Sequence, residues 1–316
     1  MPAMLEAEQL VKSFDGLRAV DGISLSVGKG EILGFLGPNG AGKTTTMKML
    51  TGYLRPDSGS ARICGELVTG GDAVARRHIG YLPEGAPLYG DMTPTSFLGF
   101  IARAHGLRRQ RGSDAVRRAV DAVDLGGVMG QRIDTLSKGF RRRVAFAAAI
   151  LHEPPVLILD EPTDGLDPNQ KHEVRALIRR MAPERAIIIS THILEEVESL
   201  CGRAAVIRAG RIVADETPSA LKARSRYLNA VNMLVPAAEA DTVAAALKYL
   251  ERVAGVEMAA EGEQVRLTVV PAGQAVIANR VAELAADKGW TVSQFAVEGG
   301  RLDDVFRRLT RAEGIN

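Results

Sequence analysis

Residues 37–45 read GPNGAGKTT, and a run so short of side chains beside one lysine leaves few folds open. Gly37, Gly40, Gly42, Lys43 and Thr44 complete the pattern G-x-x-x-x-G-K-[ST], with Pro38, Asn39, Ala41 and Thr45 between and beside them. Glycine is needed where backbone N–H groups converge on phosphate oxygens through φ/ψ values that a Cβ forbids. Lys43 then reaches the β and γ phosphates, the Thr44 hydroxyl can ligate Mg2+, and a helix N-terminus adds partial positive charge. Such a loop works only between a strand and a helix. VGKGEILGFLG reads as a strand running into it, and KTTTMKMLTGYL as a helix ending near Gly52, with Pro56 as a stop.

The rest of the chain fits around that unit. Residues 5–35 read as short β segments broken by turns at Asp15-Gly16 and Asp21-Gly22. From about 87 to 153 the apolar spacing becomes helical, with Gly-rich breaks at 126, 127 and 130, as in an inserted helical lobe. PPVLILDEP, QKHEVRALIRRM, RAIIIST and LEEVESL then alternate strand and helix, which predicts a parallel sheet covered on both faces. Beyond about Thr217 the composition shifts to Ala, Val and Glu. We expect one domain over 1–225 and a second over 226–316. In the second, the periodicity predicts strand 228–235, helix 240–253, strands 255–260 and 265–271, helix 274–288 and strand 290–297, the βαββαβ order of a ferredoxin-like α+β domain.

Composition removes several functions. Forty Lys and Arg against 38 Asp and Glu leave a net charge of +2, too balanced for a general nucleic-acid binder. Cys64 and Cys201 form no CxxC or metal-ligand spacing, which fits a reducing cytoplasm. The longest apolar runs are strand-length, far below the roughly 18 residues of a membrane span, and the first 14 residues do not read as a signal peptide.

Three further stretches carry chemistry. In VLILDEP, a buried strand ends in adjacent carboxylates that alternation sends to opposite faces. Asp160 would then hold Mg2+ and Glu161 would act as general base on the attacking water. His192, in STH at the tip of another strand, can hydrogen-bond the γ phosphate or that water; a strand-end histidine with a structural role has the same pattern. In LSKGFRRRV, Ser137 and the Gly139 amide precede a helix and form an anion-binding terminus. If that helix belongs to the inserted lobe it cannot fold back on its own phosphate loop and needs a phosphate presented by another chain. A capped helix with basic residues on a solvated face reads identically.

Together these residues resemble the nucleotide-binding subunit of an ABC transporter over roughly residues 5–215. GPNGAGKTT resembles the Walker A loop, VLILDEP the Walker B strand, LSKGF the signature, DGLDP (164–168, with Asp167) the D-loop and STH the switch histidine. The resemblance implies a P-loop NTPase of ABC type: a mixed sheet core, an N-terminal antiparallel β part and the helical lobe. It also implies Phe14 as the adenine-stacking aromatic, where a core Phe is the competing reading. Glu84 stands where the family has a metal-sensing glutamine, and the signature reads LSKGF where LSGGQ is commoner. Both departures are similar to a bacterial exporter branch that includes gliding-motility and nitrous-oxide-reductase-maturation ATPases.

The function implied is ATP hydrolysis with Mg2+ by two nucleotide subunits, expected to be a homodimer, that drive a separate membrane permease from the cytoplasmic side of the inner membrane. PEGAPLYGDMTP (83–94) is the expected permease contact, though a proline-stiffened surface loop would read the same. The second domain is expected to be regulatory or dimer-stabilising. A soluble ABC-type ATPase acting on nucleic acid or ribosomes is the alternative. Such proteins usually carry two cassettes or a long coiled coil, and this sequence has one phosphate loop and no extended heptads.

Overall fold

Two long strands, β1 (Ala3–Phe14) and β2 (Leu17–Gly28), open the computed structural model, which describes residues 3–69, 73–85 and 87–311. They turn at Asp15 and Gly16, whose φ values of 47° and 81° are those a two-residue hairpin demands. Asp21-Gly22, expected as a second turn, lies inside β2. The pairing with β1 slips there, Gly22 takes φ 75°, and the Asp21 amide donates to the Gly210 carbonyl at 2.9 Å. A bulge therefore bends one continuous strand where the sequence suggested a break.

β3 (Ile32–Leu36) then enters the glycine loop and α1 (Lys43–Leu50) leaves it. β4 (Ser58–Ile63), β5 (Glu66–Leu67), α2 (Ala73–Arg76) and β6 (Ile79–Leu82) follow. The helical lobe comprises α3 (Pro94–Ala104), α4 (Arg109–Ala122) and α5 (Lys138–Ile150). Ala86, in the expected permease contact, lies outside the described residues. The core resumes with β7 (Val156–Asp160), α6 (Pro168–Met181), β8 (Ala186–Thr191), α7 (Leu194–Leu200), β9 (Arg203–Arg208) and β10 (Arg211–Glu216).

Strands β3, β7 and β8 are buried at every position, so their unbroken apolar runs mark a sheet covered on both faces. That sheet has the order β10-β9-β3-β8-β7-β6 and is parallel except for the antiparallel β9–β10 pair. An antiparallel sheet, β2-β1-β4-β5, forms the N-terminal part. Because β3, β7 and β8 are parallel neighbours, their carboxyl ends place the glycine loop, Asp160 and His192 side by side.

The chain divides into two units after Glu216, where the composition shifts and ahead of the second domain expected from 226. Residues from Thr217 belong to the second unit because Thr217 caps a short helix, α8 (Pro218–Lys222), and Ser225 and the Arg226 amide both bond Asp304. β11 (Leu228–Pro236), α9 (Ala237–Lys248), β12 (Val253–Glu261), β13 (Gln264–Pro271), α10 (Ala278–Asp287) and β14 (Gln294–Gly299) form an antiparallel sheet of order β12-β13-β11-β14 with two helices. This is the ferredoxin-like arrangement, with its own core around Val231, Met233, Val243, Leu247, Leu267 and Val281. α11 (Leu302–Thr310) follows, with Leu302 and Val305 buried.

A histidine pair fastens the lobe to the first unit's core. His105, at the end of α3, stacks on His152, just past α5, with centroids 3.8 Å apart, and His152 Nε2 donates to the Ile79 carbonyl of β6 at 3.1 Å. Burial, reinforced by His105, lowers the His152 pKa from 6.5 to about 4. The native state therefore refuses a proton that the unfolded chain accepts, and stability rises with pH across this window. As pH falls from 6.5 to about 4 this group should remove at most ~3 kcal/mol, with no further loss below. Urea unfolding of His152→Asn against the parent should show a correspondingly flatter profile over that interval.

Candidate active site

The phosphate loop is held where only glycine fits. Gly42, the N-cap of α1, has φ 106°, and a Cβ there would lie 2.4 Å from the Ala19 carbonyl. A Cβ on Gly37 would meet the Ile207 side chain at 2.6 Å and its carbonyl at 2.7 Å. Two neighbouring elements thus press on the loop and fix its curvature. Ala41 is buried, and its amide donates to the Pro38 carbonyl at 3.2 Å.

Lys43 opens α1 and is only 7% exposed. Its ammonium donates to the carbonyls of Gly37 at 2.8 Å and Pro38 at 3.2 Å, and lies 3.8 Å from Glu161 Oε1. Burial lowers its pKa, and the carboxylates of Glu161, Asp160 and Glu84 act in the opposite direction. Glu161 in turn places both oxygens 3.0 Å from His192 Nδ1. One carboxylate thus joins a lysine and a histidine that come from different strand ends.

Asp160 and Glu161 do diverge, but the cause differs from simple alternation. β7 ends at Asp160, and Glu161 adopts φ 48°, a left-handed conformation that is costly for a residue with a Cβ. The Ser190 carbonyl accepts the Glu161 amide at 2.9 Å. Arg142 of α5 supplies the other restraint. Its guanidinium donates to the carbonyls of Pro162 at 3.0 Å and Asp160 at 2.9 Å, and also to that of Glu161. The competing reading of LSKGFRRRV, a capped helix with its basic residues on a solvated face, does not hold for Arg142, which is buried. Its i+4 and i+7 alignment with the apolar Phe146 and Ala149 was the signal available.

A cleft of about 410 Å³ gathers Asn39, Gly40, Gly42, Lys43, Thr44 and Thr45 with Ala19, Glu84, Glu161, Asp164 and His192. Asp164 was not singled out from the sequence. Asp160 lies beneath, fully buried, and neither carboxylate oxygen has a hydrogen-bond partner; the Ser190 hydroxyl opposite it in the sheet is likewise unpartnered. Unsatisfied buried carboxylate oxygens beside the Thr44 loop suit a hard cation. Among the described residues no cluster of three or more His, Cys, Asp or Glu could hold a metal.

Of the expected site residues, Gly37, Pro38 and Ala41 of the loop and the buried Asp160 do not line this cleft, and neither do Ser137, Gly139, Asp167 and Phe14. Ser137 caps α5 by accepting the Phe140 amide at 3.3 Å, and Gly139 is packed so closely that a Cβ would sit 2.7 Å from the Gln170 carboxamide. Asp167 caps α6, accepting the Gln170 amide at 3.0 Å. Phe14, at the β1–β2 hairpin, is 46% exposed and 5.8 Å from the Lys12 ammonium.

The geometry agrees with three comparisons. Residues 20–164 match the ABC transporter family model. A daunorubicin/doxorubicin resistance ATP-binding protein, DrrA of Streptomyces peucetius, is 34% identical over 97% of this chain and 92% of its own. The chain belongs to the ATP-binding proteins of ABC transporters. YbhF of Escherichia coli (strain K12), a probable multidrug ABC transporter ATP-binding protein, is 38% identical over 70% of this chain, a match spanning only 38% of YbhF's own length. The solved structure of an ATP-binding subunit of an ABC transporter is 30% identical with a TM-score of 0.64, covering 69% of this chain and 92% of that one. The first unit accordingly has the ABC-type P-loop architecture.

In this ATP-binding protein, replacing Arg142 by Ala strands three carbonyls around the Walker B turn. We expect a loss of about 2–3 kcal/mol, read from urea unfolding. Because Glu161 then loses a restraint on its strained backbone, ATP turnover should fall further than ATP binding does.

Proposed function

We propose that this chain is the ATP-hydrolysing subunit of an ABC transporter in which two copies close head to tail around two ATP molecules and drive a separate membrane permease, in the direction of export. One observation carries the reading: Lys43, Thr44, Glu161 and His192 converge on one cleft, while Ser137 and Gly139, the other phosphate-binding elements, lie outside it. A second copy supplies the missing half most simply, by a symmetric exchange of the same surfaces.

Each residue then has a task. The loop amides and Lys43 bind the β and γ phosphates, and Phe14 stacks on adenine. Thr44 and Asp160, with Glu84 as an added carboxylate, would hold Mg2+, which neutralises phosphate charge when bound. Glu161 takes the proton of the attacking water, and His192 fixes the carboxylate that does so. Ser137 Oγ and the Gly139 amide of the second copy hold the γ phosphate, and Asp167 keeps the D-loop turn attached to α6. Loss of the γ phosphate removes the link between the copies, and the helical lobe passes the reopening to the permease, with residues 83–94 as the contact.

Among the described residues no helix is long and apolar enough to cross a membrane, and in this reading the chain sits peripherally on the cytoplasmic side of the inner membrane, held there by the permease. Lys138 and Phe140 in the signature, with Glu84, support the exporter branch of gliding-motility and nitrous-oxide-reductase-maturation type. The long match to a resistance protein supports export as well. The second unit, with its own core, is assigned a regulatory or dimer-stabilising role.

Glu161→Gln should retain ATP binding, lower turnover by about 10²–10⁴-fold and accumulate an ATP-dependent dimer in light scattering. Mixing Lys43→Ala chains with Ser137→Arg chains should restore activity absent from either alone, because the mixed dimer keeps one intact composite site. No recovery on mixing, with both variants folded, removes the shared site.

A further inference from the structure

His192 reaches Glu161 from a turn with few visible restraints. Its side chain is 49% exposed, and α7 begins just beyond it at an N-cap, Ile193, that offers no side-chain hydrogen bond. Something else must fix the imidazole at 3.0 Å from both Glu161 oxygens.

The restraint lies beneath the turn. Thr191 Oγ1 accepts the Ile193 amide at 3.0 Å and donates to Glu196 Oε2 at 2.8 Å. One hydroxyl thus ties the residue before His192 to the residue after it, and a carboxylate one helical turn along α7 orients that hydroxyl. Glu196 is only 1% exposed. An acid in the first turn of a helix is favoured by the helix dipole, but Glu195 fills that role from the surface, paired with Arg175 at 2.8 Å. A buried carboxylate is costly, and the dipole does not require burial. Burial pushes the Glu196 carboxyl up, opposed by the Thr191 hydroxyl and by Arg175 and Lys171 of α6, while Glu161 adds to the rise.

We propose that Glu196 is a positioning residue for His192: acting through the Thr191 hydroxyl, it fixes the turn from which the imidazole meets Glu161. This rests on the hydrolytic reading above, and the hydrogen-bonded route from Glu196 toward Glu161 runs through Thr191 and the turn that carries His192. Glutamine keeps an oxygen able to accept from Thr191, whereas alanine keeps nothing.

The test uses the full-length chain, with the His192 imidazole resonance assigned by its disappearance in His192→Ala. Glu196→Ala should lower kcat by about tenfold or more with KM for ATP unchanged, as expected when a reacting group is displaced but phosphate binding is not. It should also move the His192 resonance. Glu196→Gln should restore both toward the parent. Thr191→Val, which removes the hydroxyl but keeps the shape, should reproduce Glu196→Ala and serves if that variant does not fold. Parental kcat in Glu196→Ala, a loss of kcat with the His192 resonance unmoved, or an equal loss in Glu196→Gln overturns the proposal. Each of these is separable from failure of the hydrolytic reading, which instead shows as undiminished turnover in Glu161→Gln.

Discussion

Lys43 and Glu161 are each 7% exposed and stand 3.8 Å apart, and neither charge could be buried without the other. Removing an ammonium or a carboxylate from water costs several kcal/mol, and only opposite charge together with further hydrogen bonds offsets it. Much of the first unit can be understood as the scaffold for that pair. β3 and β7 are buried on both faces, so their ends cannot drift, and β8 between them carries His192 to the free side of the Glu161 carboxylate. The carbonyls of Gly37 and Pro38 share the lysine's protons. A triphosphate entering the loop therefore offers Lys43 stronger acceptors than the ones it holds, which loosens its hold on Glu161.

The same turn is restrained from the helical lobe. Arg142 binds three consecutive carbonyls, those of Asp160, Glu161 and Pro162, and its charge-assisted bonds can offset a backbone held at positive φ. The strain at Glu161 is thus a property of the contact between lobe and core, not of the strand alone. The His105–His152 stack secures that lobe at another point, on β6.

Much of this was legible in the sequence because it rests on local chemistry. The glycine loop, the three buried strands and the βαββαβ order of the second unit follow from φ requirements and from hydrophobic period, both of which are written residue by residue. What failed was decided elsewhere. Asp21-Gly22 has turn composition, but the Gly210 carbonyl and the β1 register hold it as a bulge. Divergence of Asp160 and Glu161 was anticipated from the pleat, whereas the real cause is a backbone kink stabilised by an arginine distant in sequence. Arg142 and Glu196 were overlooked as charged residues on ordinary helices. Their importance lies in tertiary burial and in which carbonyl or hydroxyl they meet, and one-dimensional spacing carries little of that. The stretch between Thr217 and the second domain joins that domain for a similar reason, since Asp304 draws residues 225 and 226 into it.

For the proposed shared site, α5 gives a reason why its two halves need not act independently. Ser137 stands at its N-terminus and Arg142 five residues on, about 7.5 Å along the axis at 1.5 Å per residue. A helix is stiff over that distance, and side chains packed at crystal-like density do not absorb displacement smoothly. If a second copy presents its phosphate to Ser137, as proposed above, it pulls on the same rod whose guanidinium holds the Glu161 carbonyl. In that arrangement the proposed general base of one cleft is joined to the nucleotide of the other through a single helix. The bonds most exposed to that pull are those that keep Glu161 in its strained conformation. In that arrangement occupancy of one site bears on the geometry of the other without any further moving part.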